Sequence, residues 1–147
     1  MKIAILGAYS TPFGELRDKG ISDLIIESGR GALRDAHLAP AAVESIFVGN
    51  MCAGLFCGQM HLGAMAADLL AVNCAATMVE GACASGSFAL RSGIAAIQSG
   101  MAEVVMVIIM PMMLMAVSTM MLVVMMLVAV STTMLSMLSH NCTPIRE

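Results

Sequence analysis

The hydrophobic positions of the chain form two kinds of pattern that follow one another from its start. Four continuous apolar runs predict buried strands: residues 3–6, 45–49, 75–79 and 103–109. Three stripes with helical spacing predict helices: residues 22–37, 59–70 and about 83–99. Because strands and helices alternate, the pattern predicts an α/β fold, with helices packed against a mostly parallel sheet.

Several polar residues mark the ends of these predicted helices. Ser22 stands where a hydroxyl can cap the first helix. Asp23 and Glu27 follow it, where the positive end of the helix dipole favours acidic side chains. His37 near the end of the first helix and His61 near the start of the second are interpreted as surface or dipole partners. Neither histidine is therefore predicted to be a catalytic base.

The stretch over residues 79–90 carries the clearest candidate chemistry. Within it, Cys83 lies where the third predicted strand ends and a helix begins. Unpaired amides and the positive end of the helix dipole favour a thiolate there, and the thiolate is the nucleophilic form. Gly81 and Gly86 permit a sharp bend and leave room for a substrate. Cys83 is the candidate nucleophile, and a small buried core cysteine is the alternative.

Length, charge and cysteine content narrow the possible functions. A chain of 147 residues fits one domain, and its net charge of −3 does not indicate nucleic-acid binding. The five cysteines lack metal-ligand spacing, and their odd number fits a reducing compartment such as the cytoplasm. The apolar run at residues 3–8 is too short for the core of a signal peptide. No metal and no resident cofactor are predicted.

The last part of the chain has a different composition from the rest. Residues 104–145 contain no Lys, Arg, Asp or Glu, and 12 of the 17 methionines lie at position 101 or later. Three interpretations of residues 112–138 stay open. They are a transmembrane helix, core elements in which methionine fills gaps, and a frameshifted or artificial low-complexity stretch. Missing basic and aromatic flanks argue against the first, so membrane attachment is not favoured.

Three ordered motifs resemble the thiolase family. Residues 79–90, with Cys-Ala-Ser-Gly at their centre, resemble the acyl-enzyme cysteine motif. Residues 7–14 resemble the N-terminal strand and its Thr-Pro-Phe-Gly loop, and residues 48–51 with 58–59 occupy the matching place between the two. Glu80 stands where many thiolases carry Asn or Ser. That residue suggests the branch of archaeal acetyl-CoA acetyltransferases and sterol-carrier-protein-type thiolases.

The resemblance covers about residues 1–107 and implies the first half of a two-half fold. It predicts a thiolase-like α/β half over residues 1–107, followed by a Met-rich apolar segment of uncertain identity over 108–147. Residues 108–111 read Ile-Ile-Met-Pro where a thiolase would carry Gly-Gly-x-Glu. The family's histidine and second cysteine come from glycine-rich motifs of its other half. The triplet at residues 140–142, His-Asn-Cys, therefore receives no catalytic role.

The resemblance implies an acyltransferase that uses acyl-CoA. Cys83 as thiolate would attack the thioester carbonyl and form an acyl-enzyme, and a second acyl-CoA carbanion would then take up the acyl group. Coenzyme A thioester is thus expected as substrate, not as a resident cofactor. A homo-oligomer is implied, with the third strand at the dimer contact. The chain is expected to be an incomplete half without full turnover. A non-catalytic thiolase-like scaffold or assembly subunit and a membrane-anchored protein remain as alternatives.

Overall fold

A computed structural model of the chain describes residues 2–12, 14, 16, 18–110 and 123–128. This part forms five strands and four helices, which are, in chain order, β1 (Ala4–Ser10), α1 (Ile21–Asp35), β2 (Ser45–Gly49), α2 (Ala53–Cys57), α3 (Leu62–Leu70), β3 (Ala75–Val79), α4 (Ser85–Gln98), β4 (Val105–Ile109) and β5 (Val123–Val128). A short 3₁₀ turn, Ala82–Ala84, connects β3 to α4. The predicted α/β class is confirmed.

The strands make one sheet in the order β1-β5-β4-β2-β3. Strand β2 pairs in parallel with β3 on one side and with β4 on the other. Strand β5 is antiparallel to both of its neighbours, β4 and β1. The sheet is therefore mostly parallel, as predicted, with one antiparallel strand inserted between β1 and β4.

Strand β5 belongs to the stretch for which the sequence left three interpretations open. This strand pairs with β1 and β4, so the interpretation of a transmembrane helix does not hold for residues 123–128. Residues 112–122, 129–138 and the triplet at 140–142 lie outside the described residues. The division of the chain at residues 107 and 108 stays a prediction, and β4 continues across that position.

Both faces of the sheet are covered, which explains the continuous apolar runs of β2 and β4. On one face, Ile46 and Ile108 belong to a core cluster that also contains residues of α1 and α3. On the other face, Val105 and Val107 belong to a second cluster built with α4. Neighbouring residues of one strand thus enter different cores, because successive side chains of a strand point to opposite faces.

The helix starts differ from the prediction in three places. The first helix begins at Ile21, and the carboxylate of Asp23 accepts the amide N–H of Gly20 at 2.9 Å, so the predicted cap by Ser22 is wrong. The predicted helix over residues 59–70 begins only at Leu62, and a separate short helix, α2, precedes it where no helix was predicted. Helix α4 begins at Ser85, because the preceding residues form the 3₁₀ turn.

The carboxylate of Glu27 provides a test of stability against pH. It accepts hydrogen bonds from Lys19 Nζ and, at 3.1 Å, from the Tyr9 hydroxyl. The Lys19 bond first, and the Tyr9 bond with it, hold the pKa of Glu27 below its ordinary value of 4.5, against partial burial, which raises it. A carboxyl whose pKa is lowered in the folded state stabilises that state above its unfolded pKa. This stabilisation is lost as the pH falls through the folded pKa.

We therefore expect the free energy of unfolding to fall more steeply below about pH 4.5 in the wild type than in Glu27→Gln. Urea titrations of both proteins at a series of acidic pH values measure the two slopes. Equal slopes would contradict a stabilising role for the ionised carboxylate of Glu27.

Candidate active site

A cleft of about 310 Å³ opens where α4 meets the ends of the parallel strands. Strands β2, β3 and β4 end together at this edge, because Gly49 lies in register with both Val79 and Ile109. The segments that follow these three strands are brought together there, which is the usual place for a site in an α/β sheet. The residues that line the cleft are Met51, Ala82, Cys83, Ser85, Gly86, Ser87, Ile109 and Met110.

Cys83 lies in the 3₁₀ turn between β3 and α4, at the wall of this cleft. It is exposed, so the alternative of a buried core cysteine is wrong. Cys74, by contrast, is half-buried, and burial raises the pKa of its thiol. In the described part of the chain no group accepts a hydrogen bond from the amide of Cys83. Thiol and amide at this position are both available to a ligand.

Two glycines let the first turn of α4 approach the sheet closely. A Cβ atom on Gly49 would lie 2.5 Å from the carbonyl oxygen of Ser85 and 2.8 Å from Cα of Gly86. A Cβ atom on Gly86 would lie 2.4 Å from Cγ2 of Ile109. Side chains at these positions would separate the helix from the ends of β2 and β4. The glycines therefore place Cys83 beside the sheet edge.

The turn that carries Cys83 is held by side chains on both sides. The Glu80 carboxylate accepts the amide N–H of Ala82 at 2.7 Å. The hydroxyl of Ser85 donates to the carbonyl of Ala82 at 2.7 Å and accepts the amide N–H of Gly81 at 3.0 Å. Ser85 is buried, whereas Glu80 is exposed. Ala82 has a φ of +51°, in the left-handed region that residues with a side chain avoid.

Asn50 joins the ends of three strands behind the cleft. Its amide N–H donates to the carbonyl of Val79 at 3.2 Å, and its side-chain nitrogen donates to the carbonyl of Met110 at 3.4 Å. Its side-chain oxygen accepts the amide N–H of Cys52 at 2.9 Å. Asn50 is 8% exposed, so these bonds satisfy a buried amide. Sequence reasoning placed Asn50 only within a motif. A polar residue directly after a buried strand was the available signal.

His37 and His61, the histidines considered from the sequence, are both exposed, and neither lines the cleft. Among the described residues, no three His, Cys, Asp or Glu side chains lie close enough together to hold a metal ion. None of the helices in those residues is long and apolar enough to span a membrane. The cleft thus brings together one thiol, backbone amides, a serine pair and apolar side chains.

Comparison with known proteins identifies the family. The family model of the thiolase N-terminal domain matches residues 3–143. The chain belongs to the thiolase family. Two similar curated proteins are acetyl-CoA acetyltransferases of archaea. The one from Methanothermobacter thermautotrophicus is 45% identical over 104 residues, and the one from Methanocaldococcus jannaschii is 42% identical over 106 residues. The archaeal resemblance seen in the motifs is confirmed.

The chain spans only about a quarter of the length of these two relatives. The two matches cover 70% and 71% of the chain, but 27% of each acetyltransferase. The family's N-terminal domain is therefore the part that the chain shares with them.

Solved thiolase structures share the fold of the chain. An acetyl-CoA acetyltransferase from Syntrophomonas wolfei superimposes with a TM-score of 0.67 and 20% identity, over 74% of the chain and 28% of that protein. A thiolase from Ascaris suum, solved in complex with coenzyme A, gives a TM-score of 0.68 and 22% identity, over 75% of the chain and 30% of that protein. At these identities the likeness concerns the fold, and the fold is that of a thiolase N-terminal half.

Proposed function

We propose that the chain carries the acyl-transfer cysteine of a thiolase-type acyltransferase and that this cysteine is Cys83. One observation supports the proposal above the others. The exposed thiol of Cys83 lies at the wall of a cleft, directly before α4, in a member of the thiolase family. The archaeal relatives are acetyl-CoA acetyltransferases, so acetyl-CoA is the proposed acyl donor.

The first half-reaction follows from the groups at the cleft. The Cys83 thiolate attacks the carbonyl carbon of the thioester, and a tetrahedral intermediate with a negative oxygen forms. Backbone amides at the start of α4 and the free amide of Cys83 are suited to stabilise that oxygen. The carbon–sulfur bond to coenzyme A then breaks, which leaves acetyl-Cys83 and the coenzyme A thiolate, and the thiolate takes up a proton.

The second half-reaction needs groups that the described residues do not bring to the cleft. A carbanion must form on a second acyl-CoA and attack acetyl-Cys83, which requires a base within hydrogen-bond reach. No histidine of the described residues lines the cleft. We therefore propose that the chain as given performs acyl-enzyme formation without full turnover.

Release of free coenzyme A tests this function. On mixing with acetyl-CoA, we expect about one equivalent of free coenzyme A per chain, released in a single burst, because the acetyl group stays on the enzyme. The coenzyme A is separated from the protein before it is measured, since the Cys83 thiol is consumed as the coenzyme A thiol appears. The matched variants Cys83→Ala and Cys74→Ala show whether the acetyl group is accepted by Cys83 or by another cysteine. The burst should disappear in the first and persist in the second. A folded wild-type chain with no burst would contradict the function and favour the non-catalytic scaffold.

We also propose that the chain forms a homo-oligomer through β3. This strand is outermost in the described sheet, and Thr77 is exposed at its centre. An unpaired strand edge offers backbone groups to a second copy. We expect a dimer in sedimentation analysis and a monomer for Thr77→Lys, since like charges would then face each other across the contact. A monomeric wild type would contradict this arrangement.

We also propose that the protein is cytoplasmic. The three cysteines whose side chains the structure describes, Cys52, Cys74 and Cys83, are all free thiols. Free thiols persist in a reducing compartment. Fractionation of cells that produce the native chain tests the placement, and a secreted product would contradict it.

A further inference from the structure

We propose that Glu80 is a positioning residue for Cys83. Its carboxylate holds Ala82, the residue before the cysteine, in the left-handed conformation that presents Cys83 at the cleft. The inference rests on the proposed function of Cys83, because it explains how the candidate nucleophile is placed.

The conformation of Ala82 is the first observation. Its φ of +51° is one that residues with a Cβ atom avoid, because Cβ then crowds the backbone. Such a residue stays in this region only where its surroundings hold it there. Glycine would adopt the same angle without cost, yet the chain has alanine at this position. The turn therefore depends on contacts that fix it.

The hydrogen bonds to Ala82 are the second observation. Glu80 accepts its amide N–H at 2.7 Å, and Ser85 donates to its carbonyl at 2.7 Å, so both peptide groups of Ala82 are held. A charged acceptor makes the stronger kind of hydrogen bond. Ser85 is itself buried at the start of α4, whereas Glu80 is exposed and can be changed without altering a core. Substitution of Glu80 can therefore test the positioning of Cys83 without disturbing the folded core.

The placement of Cys83 depends on this turn. When the bond from Glu80 is removed, the amide N–H of Ala82 loses its acceptor and only Ser85 still holds this residue. The unfavourable φ of Ala82 can then relax toward an ordinary value, which shifts the backbone that leads into Cys83. The thiol then leaves its exposed position at the wall of the cleft. In that position the thiol is open to reagents from the solvent. Loss of the bond should therefore slow reactions of Cys83.

Two neutral variants isolate the hydrogen bond from the charge of Glu80. Glu80→Gln keeps an oxygen acceptor, and Glu80→Ala removes it. We expect alkylation of Cys83 by iodoacetamide, mapped by digestion, to be at least about fivefold slower in Glu80→Ala than in Glu80→Gln, the factor that one ordinary hydrogen bond represents. Equal rates in the two variants would overturn the proposal.

Glu44 supplies a matched control pair. It is also exposed, and its carboxylate also accepts one backbone N–H, that of Glu103, at 2.6 Å. It precedes β2, at the end of the sheet away from the cleft. Iodoacetamide should alkylate Cys83 at the same rate in Glu44→Ala as in Glu44→Gln. Faster labelling of half-buried Cys74 in Glu80→Ala would show that Glu80 stabilises the fold instead, and would overturn the proposal.

Acetylation by acetyl-CoA, measured on the same proteins, tests the proposed function separately. A wild type that iodoacetamide alkylates at Cys83 but acetyl-CoA leaves unmodified would overturn the acyl-transfer function. The comparison of Glu80→Ala with Glu80→Gln is decided by iodoacetamide in either case. Failure of the positioning role of Glu80 can therefore be distinguished from failure of the acyl-transfer function of Cys83.

Discussion

Gly49→Ala is expected to lower the free energy of unfolding by about 3 kcal/mol, the upper part of the usual range for overpacking. The new Cβ atom would lie 2.5 Å from the carbonyl oxygen of Ser85 and 2.8 Å from Cα of Gly86. Both are backbone atoms, so no flexible side chain can move aside. The first turn of α4 must shift away from the end of β2, and Cys83 shifts with it. Urea denaturation measures the loss of stability, and alkylation of Cys83 reports the displacement.

Gly20→Ala is the matched control for this substitution. A Cβ atom on Gly20 would have Asp23 Oδ2 as its neighbour at 3.6 Å, an ordinary van der Waals distance. Its φ of −83° is one that alanine adopts readily. We expect the control to change stability by less than about 1 kcal/mol. If Gly49→Ala were as stable as Gly20→Ala, the close approach of α4 to β2 would be contradicted.

Leu24→Ala is expected to cost about 3 kcal/mol of stability, within the range measured for buried leucines in other proteins. Leu24 is fully buried in the cluster between α1 and the sheet. Truncation removes apolar surface from the core and leaves a cavity that the neighbours fill only in part.

Leu55→Ala makes the same chemical change on the surface. Leu55 is 80% exposed, so its truncation should alter stability by less than about 0.5 kcal/mol. Thermal or urea unfolding of the two variants gives the comparison. Equal losses would contradict the burial of the helix face that carries Leu24.

The strands whose ends build the cleft were the elements most accessible to sequence reasoning. Strands β2 and β3 have the predicted bounds, because each is a short apolar run between polar or small residues. Strand β1 runs to Ser10, beyond the predicted residues 3–6, since its last residues are paired with β5 and carry no apolar signal of their own. Local pattern therefore reveals a strand whose residues form a continuous apolar run, and misses strand residues that only pairing defines.

Other elements were hidden for identifiable physical reasons. Strand β5 lies in a stretch where almost every residue is apolar, so no period distinguishes strand from helix. Helix α2 has five residues, too few for a helical stripe to form. It ends at Gly58, whose φ of +61° is the left-handed conformation that closes many helices.

Some features of the candidate site could also be predicted from the sequence, and others could not. The position of Cys83 between strand and helix follows from its local sequence, and the thiolase resemblance rests on the same residues. The bond between Asn50 and Met110 joins residues 60 positions apart, and no local pattern reports such a pairing. The left-handed turn at Ala82 is equally hidden, because alanine is not the residue that signals this conformation.

Acylation of Cys83 by acetyl-CoA is tested most directly by intact-mass measurement after incubation with acetyl-CoA. We expect one acetyl group per chain, mapped by digestion to Cys83 and absent from Cys83→Ala. Cys52 and Cys74 should remain unmodified in the same digest. A folded chain that gains no acetyl group, or gains it at a residue other than Cys83, would contradict the role of Cys83 as the acyl-transfer nucleophile.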